Sequence, residues 1–267
     1  MITVLGSSGY IGSHLAEELT RRKLEFWLPA KGNPEVFRKP LGDVIYAVGL
    51  TADFRSRPFD TVEAHVTYLS RILKEADFDS FVLLSSTRVY IDADSTAEDA
   101  VLQVRPTASD HLYNLSKLMG ESLCLTIPHE KIRVARLSNV YGGRQASPSF
   151  LQSLTQQAMT TGVVTLQSDP DSAKDYLHID DAVDLLLQIA LTGKQRLYNV
   201  ASGVNTTNRA ITRVLESRFG AKASFRADAS LLRFPLIEVS RIQKEFGFKP
   251  KPFLDKFEAT LPERMDV

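Results

Sequence analysis

The chain has 267 residues, 32 Lys+Arg against 32 Asp+Glu, 43% hydrophobic residues and one cysteine. That length builds one large domain, or one domain with a small appendage, around a full core. Balanced charge gives no case for a nucleic acid or an anionic membrane as partner, a lone cysteine leaves no internal disulfide, and no run reaches transmembrane length, so a cytoplasmic protein is expected.

The short apolar run Ile2-Thr3-Val4-Leu5 precedes Gly6-Ser7-Ser8-Gly9-Tyr10-Ile11-Gly12 and then a helical pattern over 13–22. Strand, glycine-rich turn and helix is the context in which such glycines bind a dinucleotide pyrophosphate. Gly6 and Gly9 permit a tight turn and close approach of backbone to phosphate, while Gly12 lets the helix pack close to the strand. Positions 24–28 read as a second strand. The acidic residue expected about 20 positions past the glycines, which would hold the adenosine ribose, is missing. Pro29, Ala30 and Lys31 stand there instead, and Lys31 is either a partner for the 2′-phosphate of NADP or an ordinary exposed lysine. About a dozen residues separate Lys31 from the next buried strand at 43–48, tight for a complete strand-plus-helix unit, so the adenine side reads as cut short. Positions 59–76 predict a helix with Val62, Val66, Leu69, Ile72 and Leu73 inward. Positions 81–84 are continuously apolar, as a parallel strand covered on both faces should be. The strand ends in Ser85-Ser86-Thr87-Arg88-Val89-Tyr90, which places hydroxyls at the carboxyl edge, where ligands of parallel sheets bind.

Positions 110–126 carry Leu112, Leu115, Leu118, Met119, Leu123 and Leu125 at mostly helical spacing. Tyr113 and Lys117 are one helical turn apart, so both side chains leave by the same face. A phenol loses its proton near pH 10, and a neighbouring ammonium would lower that value towards the range of a general acid/base. Cys124 reads as a small core residue. Positions 131–137 read as a sixth parallel strand. Beyond it the regular alternation stops: a loop opens at Gly142-Gly143-Arg144, 149–161 looks helical, 163–166 a short strand, and 180–191 a strongly apolar helix ending near Gly193, with Asp180-Asp181 as its cap.

With the glycine turn, the hydroxyl-rich strand end and Tyr-x-x-x-Lys in this order, the chain resembles the extended short-chain dehydrogenase/reductases, and more closely their NAD-dependent epimerase/dehydratase branch acting on nucleotide sugars. Further matches are Arg136-Leu137-Ser138-Asn139-Val140-Tyr141-Gly142, Lys174-Asp175-Tyr176-Leu177-His178-Ile179-Asp180-Asp181, Tyr198-Asn199-Val200-Ala201-Ser202-Gly203 and Glu245-Phe246-Gly247-Phe248-Lys249-Pro250. The resemblance implies an α/β fold, a Rossmann-type doubly wound parallel sheet over 1–140, with a small substrate lobe over 141–267 interleaved with the last sheet elements. It implies Tyr113 as acid/base, Lys117 on the nicotinamide ribose, and Ser86 as the hydroxyl on the reacting oxygen, with Thr87 next in line. Gly6, Ser8, Gly9, Tyr10, Ile11, Gly12, Lys31, Ala47, Val48, Gly49, Ser85 and Ser138 would join Tyr113 and Lys117 around NAD or NADP. Ser86, Thr87, Asn139 and Arg144 would meet the substrate, and Arg209, Arg213 and Arg233 are further cations available to a diphosphate.

Four departures qualify the match. Thr87-Arg88 stands where the family's 4,6-dehydratases carry Asp-Glu, which disfavours elimination of water. His65 replaces an asparagine near the cofactor, Lys174 replaces an arginine, and the adenine side is short. The implied activity is epimerisation or 4-keto reduction of a nucleotide sugar by a homodimer paired through helices 59–76 and 110–126. The alternatives are a non-catalytic NAD(P)-binding sensor or scaffold, and a reductase of a small carbonyl compound. No metal is implied.

Overall fold

A computed structural model describes residues 1–51, 53–108, 111–144, 149–232 and 234–263; position 110, the start of the helix expected over 110–126, and Arg233 lie outside them. Strand β1 (Ile2–Leu5) runs through the glycine turn into helix α1 (Tyr10–Arg21). Then come β2 (Phe26–Trp27), a 3-10 turn (Pro34–Phe37) and β3 (Asp43–Tyr46). A continuous helix over 58–75 consists of α2 (Pro58–Val62), a π-helical turn (Glu63–Thr67) and α3 (Tyr68–Glu75). It leads to β4 (Ser80–Ser86), a 3-10 turn (Thr87–Tyr90), α4 (His111–Thr126), β5 (Ile132–Leu137) and β6 (Asn139–Tyr141). Next are α5 (Phe150–Thr161), β7 (Val163–Leu166), β8 (Ala173–His178), α6 (Ile179–Thr192), β9 (Leu197–Val200) and β10 (Asn205–Thr207). The described chain ends with α7 (Asn208–Phe219), β11 (Lys222–Phe225), α8 (Ser240–Phe246) and α9 (Phe253–Thr260).

Six strands form one sheet in the order β2-β1-β3-β4-β5-β9, every neighbouring pair parallel. Strands β4 and β5 are buried almost end to end, which is why they read as unbroken apolar runs. One face of the sheet packs on α1, α6 and α8 through Leu15, Leu19, Leu186 and Ile242. The other packs on α3 and α4 through Leu69, Ile72 and Cys124. The result is a doubly wound sheet whose strands all end at one carboxyl edge. A second core, built by Leu154, Val164, Tyr176, Ile211, Phe253 and Phe257, joins α5, α7 and α9 to the small sheets β10-β8-β6 and β11-β7.

The chain passes from β2 to the far side of β1 with only the 3-10 turn between them, so β2 is the sheet edge and the adenine side lacks one strand-and-helix unit. Two of the expected strand assignments change with it. The second strand keeps two paired residues rather than five positions, because an edge with no outer neighbour has nothing to extend it. The strand at 131–137 is the fifth in chain order, not the sixth.

Helix faces also differ from their apolar spacing. The π turn inserts a residue into the helix over 58–75, so Thr61, Ala64, His65, Leu69 and Ile72 are buried while Val62 turns outwards. In α4 the buried face is the polar one: Tyr113, Asn114, Ser116, Lys117, Gly120 and Glu121 face inwards, and Met119 is 54% exposed. The cap of α6 is His178, whose Nδ1 accepts the Asp180 N–H at 3.2 Å; Asp180 and Asp181 occupy the first turn, where carboxylates complement the helix dipole.

Candidate active site

Gly6 adopts φ +87°, and a side chain there would bring its Cβ within 2.8 Å of the Ala47 carbonyl carbon. At Gly12 a Cβ would come to 2.2 Å from the Gly6 oxygen, so neither position admits any residue but glycine. The turn therefore lies backbone against backbone on residues 47–48. Helix α1 begins at Gly9 with no side-chain cap, which leaves first-turn amides available to an anion. Past the end of β5, the Ser138 Oγ is buried with no hydrogen-bond partner. A glycine cradle at one strand end and an orphaned hydroxyl three strands away fit a dinucleotide laid along the carboxyl edge, with Ala47, Val48 and Gly49 between them. Lys31 is exposed just past β2, at the adenine end.

Tyr113 and Lys117 both face this edge and are 4% and 7% exposed. The Lys117 ammonium donates to the Leu84 carbonyl at 3.0 Å and lies 5.9 Å from the Tyr113 ring centroid. Burial pulls its pKa down to about 8, against the attraction of Glu121. The Ser86 and Thr51 hydroxyls act on the Tyr113 phenol. Burial pushes that phenol above its ordinary value; Ser86, Arg88 and Thr51 pull it back. The charge that acts on the phenol is that of Arg88 rather than that of Lys117. Ser86, not Thr87, meets the phenol: it caps the 3-10 turn by accepting the Arg88 N–H at 3.2 Å, and this turn presents its hydroxyl to α4.

Sequence reasoning missed the cover over this pair. The ring of Phe54, itself 3% exposed, lies 5.3 Å from that of Tyr113. The Arg55 and Arg88 guanidinium carbons stand 4.5 and 5.7 Å from the Phe54 centroid. His65 ties the same segment to α4. Its Nε2 accepts the Leu50 N–H at 3.2 Å, its Nδ1–H donates to Ser116 Oγ at 2.8 Å, and Ser116 donates to the Tyr113 carbonyl at 2.9 Å. Both ring nitrogens are satisfied, and burial with the nearby Lys117 charge holds the imidazole neutral, its pKa lowered to about 3. His65 is a positioning residue. Thr-Ala-Asp-Phe-Arg at 51–55 carries no periodicity, so only its place after a buried strand could have flagged it.

Ser85 faces the other way, into a closed network. It donates to Glu121, which also takes both nitrogens of a fork from Arg136, the closest contact being 2.6 Å. Arg136 further donates to the Tyr90 hydroxyl at 2.5 Å, and Tyr90 donates to Asn199 at 2.8 Å. Its hydroxyl is thereby committed to the core, since alternate residues of a strand point to opposite faces.

Of the candidate substrate residues, Asn139 donates to the Asp175 carbonyl at 2.8 Å and so sits beside β8. Arg144 is not brought there: its side chain is 94% exposed and pairs with Glu17 of α1 at 3.4 Å. Arg209 pairs with Asp171 at 3.0 Å on the surface of α7. Asp175 is structural, accepting N–H bonds from Ser202, Gly203 and Val204. The Lys174 ammonium rests 5.3 Å from the Phe150 ring centroid and 5.6 Å from that of Phe234. Phe150 also lines a cavity of about 400 Å³ with Leu154, Gln157, Leu166 and Leu232.

A parallel sheet with a glycine cradle and a hydroxyl–phenol pair on one edge defines a dinucleotide-dependent enzyme of the Rossmann type. The chain belongs to the NAD dependent epimerase/dehydratase family, whose model matches residues 2–201. A dTDP-glucose 4,6-dehydratase of Streptomyces griseus is 30% identical over 64% of this chain; the match spans about half, 54%, of that relative's length. An uncharacterized UDP-glucose epimerase, YtcB of Bacillus subtilis, is 25% identical over 84% of this chain and 83% of its own. Among solved structures, MoeE5 in complex with UDP-glucose and NAD superposes with a TM-score of 0.79 at 20% identity, covering 97% of this chain and 96% of that one. Among the described residues no helix is long and apolar enough to cross a membrane.

Proposed function

We propose that the protein is an NAD(P)-dependent oxidoreductase of nucleotide sugars, of the epimerase or 4-ketoreductase kind, with Tyr113 as acid/base. The observation that carries this reading is Tyr113, buried beneath Phe54 with Ser86 acting on its phenol, at the strand edge that also holds the glycine cradle. Bound nicotinamide would supply the hydride chemistry. Ser86 would hold the reacting sugar oxygen, and Tyr113 would pass a proton to or from it. A phenol kept neutral by burial is the form that donates a proton to a ketone; Arg88 and Ser86 stabilise the phenolate left behind. Lys117 would reach the nicotinamide ribose from beneath. Lys174 would meet the diphosphate, with the nucleoside in the cavity behind Phe150. Arg88 stands where elimination of water would call for an acid, so a dehydratase is disfavoured. In the present arrangement Thr51 holds the place on Tyr113 that a substrate hydroxyl would take, and the reading requires substrate to displace it.

The same cover favours a second reading, a non-catalytic NAD(P)-binding sensor or scaffold, because Tyr113 is only 4% exposed. The test is incubation with NAD or NADP and a panel of UDP-, dTDP-, GDP- and CDP-sugars, followed by product analysis. Conversion of a sugar at one carbon supports the enzyme; tight cofactor binding with no conversion across the panel supports the sensor. NAD and NADP remain alternatives, with Lys31 as the residue on which a 2′-phosphate would fall. A homodimer through the outer faces of the helix over 58–75 and α4 accounts for Phe59 at 88% and Met119 at 54% exposure.

A further inference from the structure

We infer that the dinucleotide is an exchanging cosubstrate, taken up reduced and released oxidised at each turnover, so that the net reaction is reduction of a sugar ketone rather than epimerisation. The inference rests on the reading of Tyr113 as the acid/base and narrows it to one of its two reactions. Its ground is an asymmetry along the carboxyl edge. The pyrophosphate and nicotinamide stretches are closely built: a Cβ at Gly6 or Gly12 would strike backbone, and Tyr113, Lys117 and Phe54 are all buried. The adenosine stretch is open. Strand β2 is the outermost strand of the sheet and pairs through two residues, with only the 3-10 turn between it and β3. Ala30, Lys31 and Gly32 are exposed, and a Cβ added to Gly32 would meet nothing within 4 Å.

The side chains around this opening are committed elsewhere. Positions 26–33 hold no acid for a ribose diol. Glu35, the next acid along, pairs with Arg38 at 3.3 Å and Lys39 at 3.2 Å, and Asn33 accepts the Glu35 N–H at 3.0 Å. Phe26, Trp27 and Phe37 pack against the cores on the two faces of the sheet, and the Arg71 guanidinium carbon lies 4.1 Å from the Phe37 centroid. The adenosine half of the ligand therefore adds little to binding, and the cradle and the nicotinamide end hold most of it. A missing charge-assisted contact to the ribose speeds dissociation about 10- to 100-fold. An epimerase must return the hydride to the same sugar, so its reduced dinucleotide has to outlast the ketone; a site open at the adenosine end loses it. For a reductase that exchange is part of the cycle. The carbonyl carbon takes a hydride from the dihydronicotinamide, its π electrons move to the oxygen, and the oxygen takes the Tyr113 proton, which water then restores. Ketone, NAD(P)H and one proton give alcohol and NAD(P)⁺. The neutral phenol that burial favours is the form this step uses. The ketone must be supplied by a separate reaction that oxidises or dehydrates a nucleotide sugar.

The test uses the intact chain. Dinucleotide carried through purification is released by acid and quantified. NADH, NADPH and reduced nicotinamide guanine dinucleotide, in which only the base is changed, are titrated by fluorescence, and their dissociation is followed by stopped-flow displacement. The expected result is less than about 0.1 dinucleotide per purified chain, with a Kd of about 1–100 μM for the tighter of NADH and NADPH and dissociation faster than about 1 s⁻¹. The guanine analogue should bind within about threefold of NADH, because the base meets little protein. At least one UDP- or dTDP-linked 4-keto-6-deoxyhexose should then consume one NAD(P)H for each alcohol formed. Stoichiometric dinucleotide that leaves more slowly than about 10⁻³ s⁻¹ overturns the inference. So does a loss above about 30-fold for the guanine analogue, or interconversion of two hydroxyl epimers with no net change in nicotinamide absorbance. Failure of the parent reading is distinct: no sugar ketone or alcohol is converted, by a chain whose dinucleotide binds and leaves as expected.

Discussion

The two ends of α4 bury polar side chains in opposite ways. At the end nearer Thr126, Glu121 accepts from Ser85 and from both sides of the Arg136 fork, Arg136 continues to Tyr90, and charge balances charge. At the end nearer His111, Lys117 donates to the Leu84 carbonyl, and burial draws its pKa down to about 8. Around Tyr113 stand Arg88 and Ser86, with Thr51 and Phe54 over it. A closed, neutral network on one helix half holds β4 and β5 to α4; on the other a buried ammonium and a buried phenol lie side by side beneath Phe54. The contrast separates structural burial from functional burial within a single helix.

The largest effect should come from opening the closed end. Glu121→Ala leaves Arg136 buried without its carboxylate, and equilibrium unfolding should show a loss of about 3–5 kcal/mol; a change below about 1 kcal/mol would mean that the two ends do not differ as described. A smaller, pH-dependent effect should come from Lys117. Its folded pKa, about 8, lies below the ordinary lysine value of 10.5. Between those two pH values the unfolded chain keeps a proton that the folded chain has released, so the Lys117 contribution to stability rises with pH across that window. Below about pH 8 both states are charged and the burial penalty is complete. Lys117→Met removes the penalty, so the stability difference between variant and wild type should shrink by roughly 3 kcal/mol from pH 8 to pH 10.5. A difference flat across that range would show the ammonium to be well solvated.

The glycine cradle was legible in the sequence because Gly6 and Gly12 occupy positions where any Cβ would strike backbone. So was the truncated adenine side, since too few residues separate Lys31 from β3 for another unit. Periodicity misled where function or local geometry overrode it. The leucines of α4 suggest an apolar inward stripe, yet Tyr113, Lys117 and Glu121 must face the sheet, and that turns Met119 towards solvent. One π turn rotated Val62 outwards, and no residue type announces such a turn. Ser85 and Ser86 look equivalent as letters; strand alternation sends one to Glu121 and the other to Tyr113. Thr51 and Phe54 were invisible, because their role arises from a loop that packs across the edge.

The account turns on the proton at Tyr113, and Tyr113→Phe, assayed by single turnover with the nucleotide sugar selected from the panel and by cofactor titration, tests it most directly. Turnover should fall about 10²- to 10⁴-fold, the range general acid/base groups supply, while cofactor affinity stays within about twofold because the cradle and Lys117 are untouched. Turnover equal to wild type, with cofactor bound, would contradict the account.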